Sequence, residues 1–170
     1  MKSNGSNGQV VYIHGGDCFA SPADFYTALS EWSYDPYEEI PTKWKGWLNT
    51  KLVDQGYDWI APSMPNKQNA DYTAWKIWFK KLIPYLKSDS INLIGYSLGG
   101  SFLVKYLTTT DISFKIKQLH LVAPAVTEAD CPGLGEFASN PTDWPKLAEF
   151  AKEIHIYLSL IHISEPTRPY

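Results

Sequence analysis

The sequence predicts an α/β fold built as a three-layer, doubly wound and mostly parallel sheet. Five short apolar stretches alternate along the chain with segments of helical character. Within these stretches apolar residues mostly follow one another instead of alternating with polar residues, which is typical of parallel strands buried on both faces. With 170 residues, of which 44% are hydrophobic, the chain is long enough for one domain with a full hydrophobic core.

The first predicted elements follow a short polar tail. Residues 1–8 are rich in Asn, Gly and Ser and are expected to be disordered, ahead of a single domain that spans 9–157. Residues 9–13 form an apolar run that ends at a glycine turn, which predicts a buried parallel strand. Ser21 followed by Pro22 is typical of a helix start, with Ser as the N-cap and Pro in the first turn.

Two further helices are predicted on either side of a second strand at residues 58–61. The first begins near Thr42 and stops at Gly56, and the second follows the polar stretch 66–71. Both have apolar side chains at helical spacing, which we interpret as faces packed against the core. These side chains are Trp44, Trp47, Leu48 and Leu52 in the first helix, and Trp75, Trp78, Phe79, Leu82 and Leu86 in the second.

The C-terminal half predicts three more strands. The third covers residues 91–94 and leads into a helix, and the fourth covers residues 118–123. A further helix is expected with Asp143 as its N-cap and Pro145 in its first turn. The fifth strand begins at Glu153. In such a sheet the carboxyl ends of the strands meet at one edge, where ligands bind.

The third strand ends in the sequence G-Y-S-L-G at residues 95–99, which matches the G-x-S-x-G pattern of a nucleophile elbow. In this motif a serine sits in a strained turn between strand and helix, so that its hydroxyl lies above the sheet edge. We therefore predict Ser97 as a nucleophile. Gly95 and Gly99 are expected to lack side chains because strand and helix approach closely there.

A nucleophilic serine also needs backbone donors for the oxyanion that forms on attack. One predicted donor is the N–H of Leu98, which follows the nucleophile at the start of its helix. The other is expected in the glycine turn after the first strand, at Gly16, with Asp17 as the second choice. The alternative is that residues 14–16 form an ordinary turn between strand and helix.

The composition excludes several classes of function. The formal net charge of −3 provides no basic surface for nucleic acid. The absence of a long apolar run and of a signal-peptide pattern predicts no membrane partner and a cytoplasmic location. Cys18 and Cys131 lack metal-ligand spacing and are expected to be free and non-catalytic. No cofactor or metal is predicted, and the oligomeric state is left open.

No histidine that follows Ser97 is a convincing general base. His120 lies in the middle of a predicted strand and is interpreted as a hydrogen-bonded core residue. His155 lies early in the fifth strand, before the point where the loop carrying a catalytic acid would begin. His162 lies in the last stretch of the chain, whose composition differs from the rest.

Four stretches carry a family resemblance: V-V-Y-I-H-G-G, W-x-x-W-F-x-K-x-I-P, I-N-L-I-G-Y-S-L-G-G and E-I-H-I-Y. Together they resemble the small α/β hydrolases related to retinoblastoma-binding protein nine and their bacterial YdeN-like relatives, over residues 9–157. The resemblance implies an α/β-hydrolase fold with Ser97 as the nucleophile. It also implies a catalytic Asp after the fifth strand and a later His before a C-terminal helix, and neither segment is found in this sequence.

Residues 158–170, L-S-L-I-H-I-S-E-P-T-R-P-Y, contain the only arginine of the chain. They resemble a translated sequencing adapter and are expected to be a non-native tail. On this interpretation the fold is incomplete at its C-terminus, the triad Asp and His are missing, and His162 is not a base. The fifth strand would then be an apolar edge that favours aggregation.

The predicted function is a serine hydrolase of the carboxylesterase type, acting on a small acyl substrate, with little or no turnover in this chain. The aromatic segment around Trp32, Tyr34 and Tyr37, together with Met64, could border the acyl pocket or serve packing alone. Two alternatives stay open. One is a non-catalytic module with the same fold that binds a partner or small molecule, and the other is acyl transfer to an acceptor other than water.

Overall fold

A computed structural model of the chain describes residues 7–37, 44–86 and 90–158. Several predictions fall outside those residues and keep their status as predictions. They concern most of the tail 1–8, the helix start near Thr42, and His162 with nearly all of the segment 158–170. The remainder of the chain can be compared with the predicted elements one by one.

Five strands form one sheet in the order β2-β1-β3-β4-β5, and all four pairings are parallel. The strands are β1 (Gln9–Ile13), β2 (Asp58–Ile60), β3 (Ile91–Tyr96), β4 (Ile116–Val122) and β5 (Ala151–Tyr157). The predicted α/β class with a doubly wound sheet is confirmed, and every described pairing is parallel.

The α-helices among the described residues are α1 (Pro22–Glu31), α2 (Trp44–Asp54), α3 (Tyr72–Leu82), α4 (Leu98–Thr109) and α5 (Leu147–Phe150). Ser21 caps α1 as predicted, because its hydroxyl accepts from the Asp24 N–H. The predicted cap at Asp143 is wrong. A 3₁₀ segment, Pro141–Lys146, precedes α5, and its N-cap is Asn140, whose side chain accepts from the Thr142 N–H. Asn and Asp cap equally well, so the pattern alone could not choose between them.

The strand order assigns the helices to two layers. The first crossover moves from β1 to one edge of the sheet, and the next three move step by step to the other edge. Because parallel crossovers are right-handed, these two directions place helices on opposite faces. The covered face carries α3, α4 and α5, whereas the open face carries α2.

The main core lies on the covered face. It contains 21 buried hydrophobic residues, contributed by the sheet, by α3 and α4 and by the loops after β4. Its centre is a group of aromatic rings whose contacting pairs have centroids 5.0 to 5.7 Å apart, formed by Trp75, Phe79, Phe102, Tyr106 and Phe137. The predicted apolar stripe of α3 is thus largely confirmed. Trp78 is the exception, being 43% exposed with Lys81 over its ring.

The open face has a much smaller core, with only Val10, Tyr12 and Ile94 buried among the described residues. Leu48 and Leu52 of α2 pack against these three residues, but Trp47 is 62% exposed, so its predicted inward position is wrong. The reason is that α2 covers only part of this face. None of the helices in the described ranges is long and apolar enough to cross a membrane.

Candidate active site

Ser97 stands between β3 and α4 in a strained conformation. Its backbone has φ 50° and ψ −124°, a region that non-glycine residues rarely adopt. The conformation is held from both sides, since the Ser97 N–H donates to the Val122 carbonyl at 2.8 Å and the Ser97 carbonyl accepts from the Gly100 N–H at 2.8 Å. This is the geometry that a nucleophile elbow requires.

The two motif glycines lie where the backbone approaches itself most closely. A Cβ at Gly95 would be 2.6 Å from the Gly100 Cα, and one at Gly99 would be 2.6 Å from the His14 carbonyl oxygen. Cβ atoms essentially never come closer than 3.0 Å to other heavy atoms. The elbow and the end of β1 can therefore pack together only if these positions lack side chains.

Two backbone N–H groups beside Ser97 are free to bind an oxyanion. Those of Leu98 and Gly16 donate to no acceptor among the described residues, and both residues line the same cavity as Ser97. The Asp17 N–H is already engaged, because it donates to the Lys67 carbonyl at 2.8 Å. Of the two predicted alternatives in the turn, the structure therefore favours Gly16.

The loop between β2 and α3 braces the turn that contains Gly16. The Met64 N–H donates to His14 Nε2 at 2.8 Å, so the ring proton must be on Nδ1, which lies 2.6 Å from the Gly15 carbonyl oxygen. Trp75 fixes the same loop from below, because its Nε1–H donates to the Pro65 carbonyl at 2.8 Å. Burial lowers the pKa of His14, and this favours the neutral ring that the network needs.

A cavity of about 290 Å³ opens in front of Ser97. It is lined by Gly16, Asp17, Cys18, Phe19, Ser97, Leu98, Ala125, Cys131, Pro132 and Leu134. Both cysteines are free, as predicted. Burial raises the pKa of Cys18 to about 11 and also raises that of Cys131, so both thiols are protonated at neutral pH. A protonated thiol is a poor nucleophile, which leaves Ser97 as the candidate.

No general base is in place within the described part of the chain. Ser97 Oγ forms no hydrogen bond with any described residue. Both ring nitrogens of His14 are occupied in the loop network. His120 and His155 stack on each other on the open face, with ring centroids 4.7 Å apart. His120 is half-buried there and bonds to Tyr157 Oη at 3.2 Å, so it is hydrogen-bonded as predicted but not part of the core.

A second and larger cavity lies on the open face, away from Ser97. This sheet groove has a volume of about 630 Å³ and is lined by Val10, Trp44, Leu48, Leu52, Tyr57, Asn92, Ile94, Gln118, His120, Val122 and Tyr157. In the described part of the chain, its lining is mostly apolar and includes no Ser, Thr, Cys, Asp, Glu or Lys side chain. No three His, Cys, Asp or Glu side chains converge on a possible metal position anywhere in residues 7–37, 44–86 and 90–158.

Several cavity residues had no signal in the sequence. Phe19, Cys131 and Leu134 reach the cavity through loops whose path depends on tertiary packing. Met64, for which both a pocket position and a packing role were left open, is 2% exposed and belongs to the main core, which supports the packing role. Trp32 does not line the cavity itself but contacts Phe19, which does, at a centroid distance of 6.4 Å.

Comparison with known proteins gives a fold but no family. No family model matches the chain, and no curated protein matches it in sequence. The crystal structure of the ydeN gene product from B. subtilis is similar with a TM-score of 0.64 at 20% identity, covering 88% of this chain and 69% of that chain. A protein provisionally described as a cell surface hydrolase from Lactobacillus plantarum gives a TM-score of 0.42 at 12% identity, covering 84% of this chain and 62% of that chain. At such identities a likeness bears on architecture alone, and the similarity to the ydeN gene product agrees with the parallel α/β fold described above.

Proposed function

We propose that the chain derives from a serine hydrolase of the carboxylesterase type that cleaves small acyl esters with Ser97 as its nucleophile. The observation that carries this proposal is the strained backbone of Ser97, at φ 50°, next to the N–H groups of Leu98 and Gly16, which donate to no acceptor within the described ranges. Strain of this kind persists only where the surrounding structure enforces it, and it is concentrated at functional sites.

In the proposed reaction, Ser97 Oγ attacks the carbonyl carbon of an ester bound in the cavity, and its proton passes to a base. The carbonyl oxygen becomes an oxyanion that accepts hydrogen bonds from the Leu98 and Gly16 N–H groups. Collapse of this intermediate expels the alcohol, which takes up the proton, and leaves an acyl-serine. Water then attacks the acyl-serine by the same route and releases the acid. Loss of one oxyanion donor would slow this reaction by about 10² to 10³.

The acid and the base of this mechanism are not among the described residues near Ser97, and we infer that the chain as given turns over little or no substrate. Its three described histidines are either engaged beside the turn or stacked on the open face. A serine hydrolase without its base retains only about 10³ to 10⁴ over the uncatalysed rate, from oxyanion binding and positioning. The proposal also includes two predictions made from the sequence, namely that residues 158–170 are a non-native tail and that the chain resembles the hydrolases related to retinoblastoma-binding protein nine.

A fluorophosphonate probe tests the nucleophile. We expect slow labelling of this chain. A second version, in which residues 158–170 are replaced by the 3′ end of the gene as read from an independent library, should be labelled faster. The Ser97→Ala variant of either version should not be labelled. Labelling that persists in Ser97→Ala would show that another residue reacts. If the genomic sequence encodes residues 158–170 followed by a stop codon, the missing-triad interpretation is wrong.

The second candidate is a non-catalytic module with the same fold, and it is favoured by the absence of a hydrogen-bonded base at Ser97 Oγ in the described part of the chain. The same experiment separates the two functions, because a binding module stays unlabelled even with its genomic C-terminus. A cytoplasmic location, a small-molecule partner and hydrolysis rather than acyl transfer remain proposals.

A further inference from the structure

Helix α1 has an apolar face that neither core uses. None of its residues is buried, although Phe25, Ala28 and Trp32 follow one another at helical spacing. An isolated helix of ten residues is marginal in water, so this face needs a partner surface. Among the described residues its ring contacts are made with Phe19 and within the helix itself.

Phe19 connects α1 to the cavity in front of Ser97. Its ring lies 5.4 Å from Phe25 and 6.4 Å from Trp32, centroid to centroid, and the same residue lines the cavity. A continuous apolar surface therefore runs from the nucleophile to the outer face of the helix. Phe19, Phe25 and Trp32 are called the aromatic shelf below.

The shelf is open to solvent on its outer side. Trp32 is 40% exposed, and the neighbouring Leu29 and Tyr26 are 49% and 65% exposed. The cavity itself holds about 290 Å³, slightly below the range of about 300 to 1,000 Å³ found for drug-sized ligands. An ester must place both its acyl group and its alcohol in or beside this volume, so apolar surface next to the cavity extends the length of chain that can be bound.

The charges around the shelf narrow the choice of ligand. Between residues 19 and 37 the charged side chains are Asp24, Glu31 and Asp35, and there is no Lys or Arg. Surfaces that bind anionic membranes or nucleic acids are rich in Lys and Arg. An acidic rim around exposed aromatic rings fits instead a neutral alkyl chain.

We propose that the aromatic shelf binds the distal alkyl chain of the acyl group, so that the substrate class is medium-chain rather than acetyl esters. This inference rests on the proposed function, because it assigns the reacting carbonyl to Ser97. Each fully buried methylene is worth about fourfold in affinity, and burial on one side only about twofold. Four methylenes lying on the shelf should therefore contribute about tenfold.

The test uses neutral probes that carry a carbonyl group and no ester. Binding of 2-hexanone and 2-decanone is measured by ligand-observed NMR, and 2-decanone is expected to bind about tenfold more tightly. Trp32→Ala should reduce the ratio of the two affinities, 2-decanone over 2-hexanone, below about threefold. The matched control is Trp44→Ala, which removes a tryptophan of similar exposure, 43%, from the sheet groove. This control should leave the ratio unchanged, and circular dichroism checks that both variants fold.

Three outcomes would overturn the inference. The first is a ratio near one in the unmodified chain, and the second is a ratio that falls in Trp44→Ala but not in Trp32→Ala, which would place the alkyl chain in the sheet groove. The third is co-sedimentation with phosphatidylcholine vesicles that is lost in Trp32→Ala, which would identify a lipid surface. Ser97→Ala should retain the tenfold ratio, so a failure of fluorophosphonate labelling and a failure of the shelf are distinguishable.

Discussion

The two cavities of this molecule differ in origin as well as in size. The sheet groove measures about 630 Å³ and exists because α2 covers only part of the open face. The cavity at Ser97 measures about 290 Å³ and exists because the ends of three parallel strands and their loops converge there. The smaller cavity holds the strained serine and the free N–H groups. The volume of a cavity therefore depends on how completely the sheet is covered, whereas backbone geometry is what makes the smaller cavity the candidate site.

The surroundings of the two cavities also differ in rigidity. The Ser97 cavity is enclosed by close backbone contacts and by the hydrogen bonds of the β2-α3 loop. The sheet groove has an apolar floor, with Val10 and Ile94, and polar groups at one end, where His120 and Tyr157 are hydrogen-bonded. A substitution should therefore cost far more at the first cavity than at the second.

The largest effect is expected for Gly99→Ala. The added methyl group would meet the carbonyl oxygens of Ile13 and His14, which belong to the sheet and to the braced turn and cannot move independently. We expect the free energy of unfolding to fall by about 5 kcal/mol, more than the usual overpacking cost of about 1 to 3 kcal/mol, because the clash is with backbone rather than with a side chain. Gly135→Ala is the contrasting variant, because its φ of 54° is unfavourable for alanine while no atom lies within 4 Å of the added carbon, so it has backbone strain without the clash. It should cost about 1 kcal/mol. Equal losses in urea unfolding would show that packing at the elbow is loose.

Two neighbouring residues of β3 lie on opposite faces of the sheet, so substitutions at them measure how much packing on each face contributes to stability. Leu93 is fully buried in the main core, whereas Ile94 lies on the floor of the sheet groove and is 8% exposed. Leu93→Ala should destabilise by about 4 kcal/mol, and Ile94→Ala by about 2 kcal/mol, because the groove already leaves one side of Ile94 without packed neighbours. Urea unfolding measures both variants. A larger loss for Ile94→Ala would mean that the groove is closed in solution.

The turn beside the Ser97 cavity and the sheet groove should also differ in their response to pH. Burial lowers the pKa of both His14 and His120 from 6.5, with help from Lys45 and Lys67 at His14 and from His155 at His120. The unfolded chain then binds more protons than the native one. Stability is therefore full above pH 6.5 and is lost as the pH falls from 6.5 through the lowered native pKa values. The loss should be greater for His14, because a proton on Nε2 also removes the acceptor of the Met64 N–H.

Unfolding free energies of His14→Gln and His120→Gln between pH 7.5 and 5.5 test this order. Each substitution removes one titrating ring, so each should flatten the decline, and His14→Gln should flatten it more. An unchanged slope in His14→Gln would mean that the histidine beside the active-site turn is already protonated or exposed in the native state.

The elbow was predictable because its information is local. Gly95, Ser97 and Gly99 lie within five residues, and strand and helix on either side confirm the context. The sequence ranked Gly16 ahead of Asp17 as the second donor, but it could not show that the Asp17 N–H is engaged by the carbonyl of Lys67, which is 50 positions away in the chain.

Which face of a helix or strand is buried was harder to predict than where the helix or strand lies in the sequence. The apolar stripe of α2 had the right spacing, but whether Trp47 is buried depends on how much of the sheet lies beneath it, which the pattern does not contain. For the same reason His120, in the middle of a strand, was assigned to the core, whereas the small core of this face does not include it and it lines the sheet groove. Residues that line the Ser97 cavity from loops, such as Phe19 and Leu134, were missed because no periodicity marks them.

The smallest expected effect concerns Lys45, whose ammonium group lies 5.2 Å from the centre of the Tyr12 ring at the edge of the open face. Tyr12 is 3% exposed and stacks on Trp59 at 5.5 Å, so the ring is held in place without the lysine. Lys45→Met keeps the apolar stem and removes the charge, and it should cost about 0.5 kcal/mol. Lys45→Arg should retain the stability, because a guanidinium group can occupy the same position over the ring. If both variants lose stability equally, contacts of the lysine's alkyl stem rather than its charge stabilise this edge. The two faces of the sheet would then differ in packing alone.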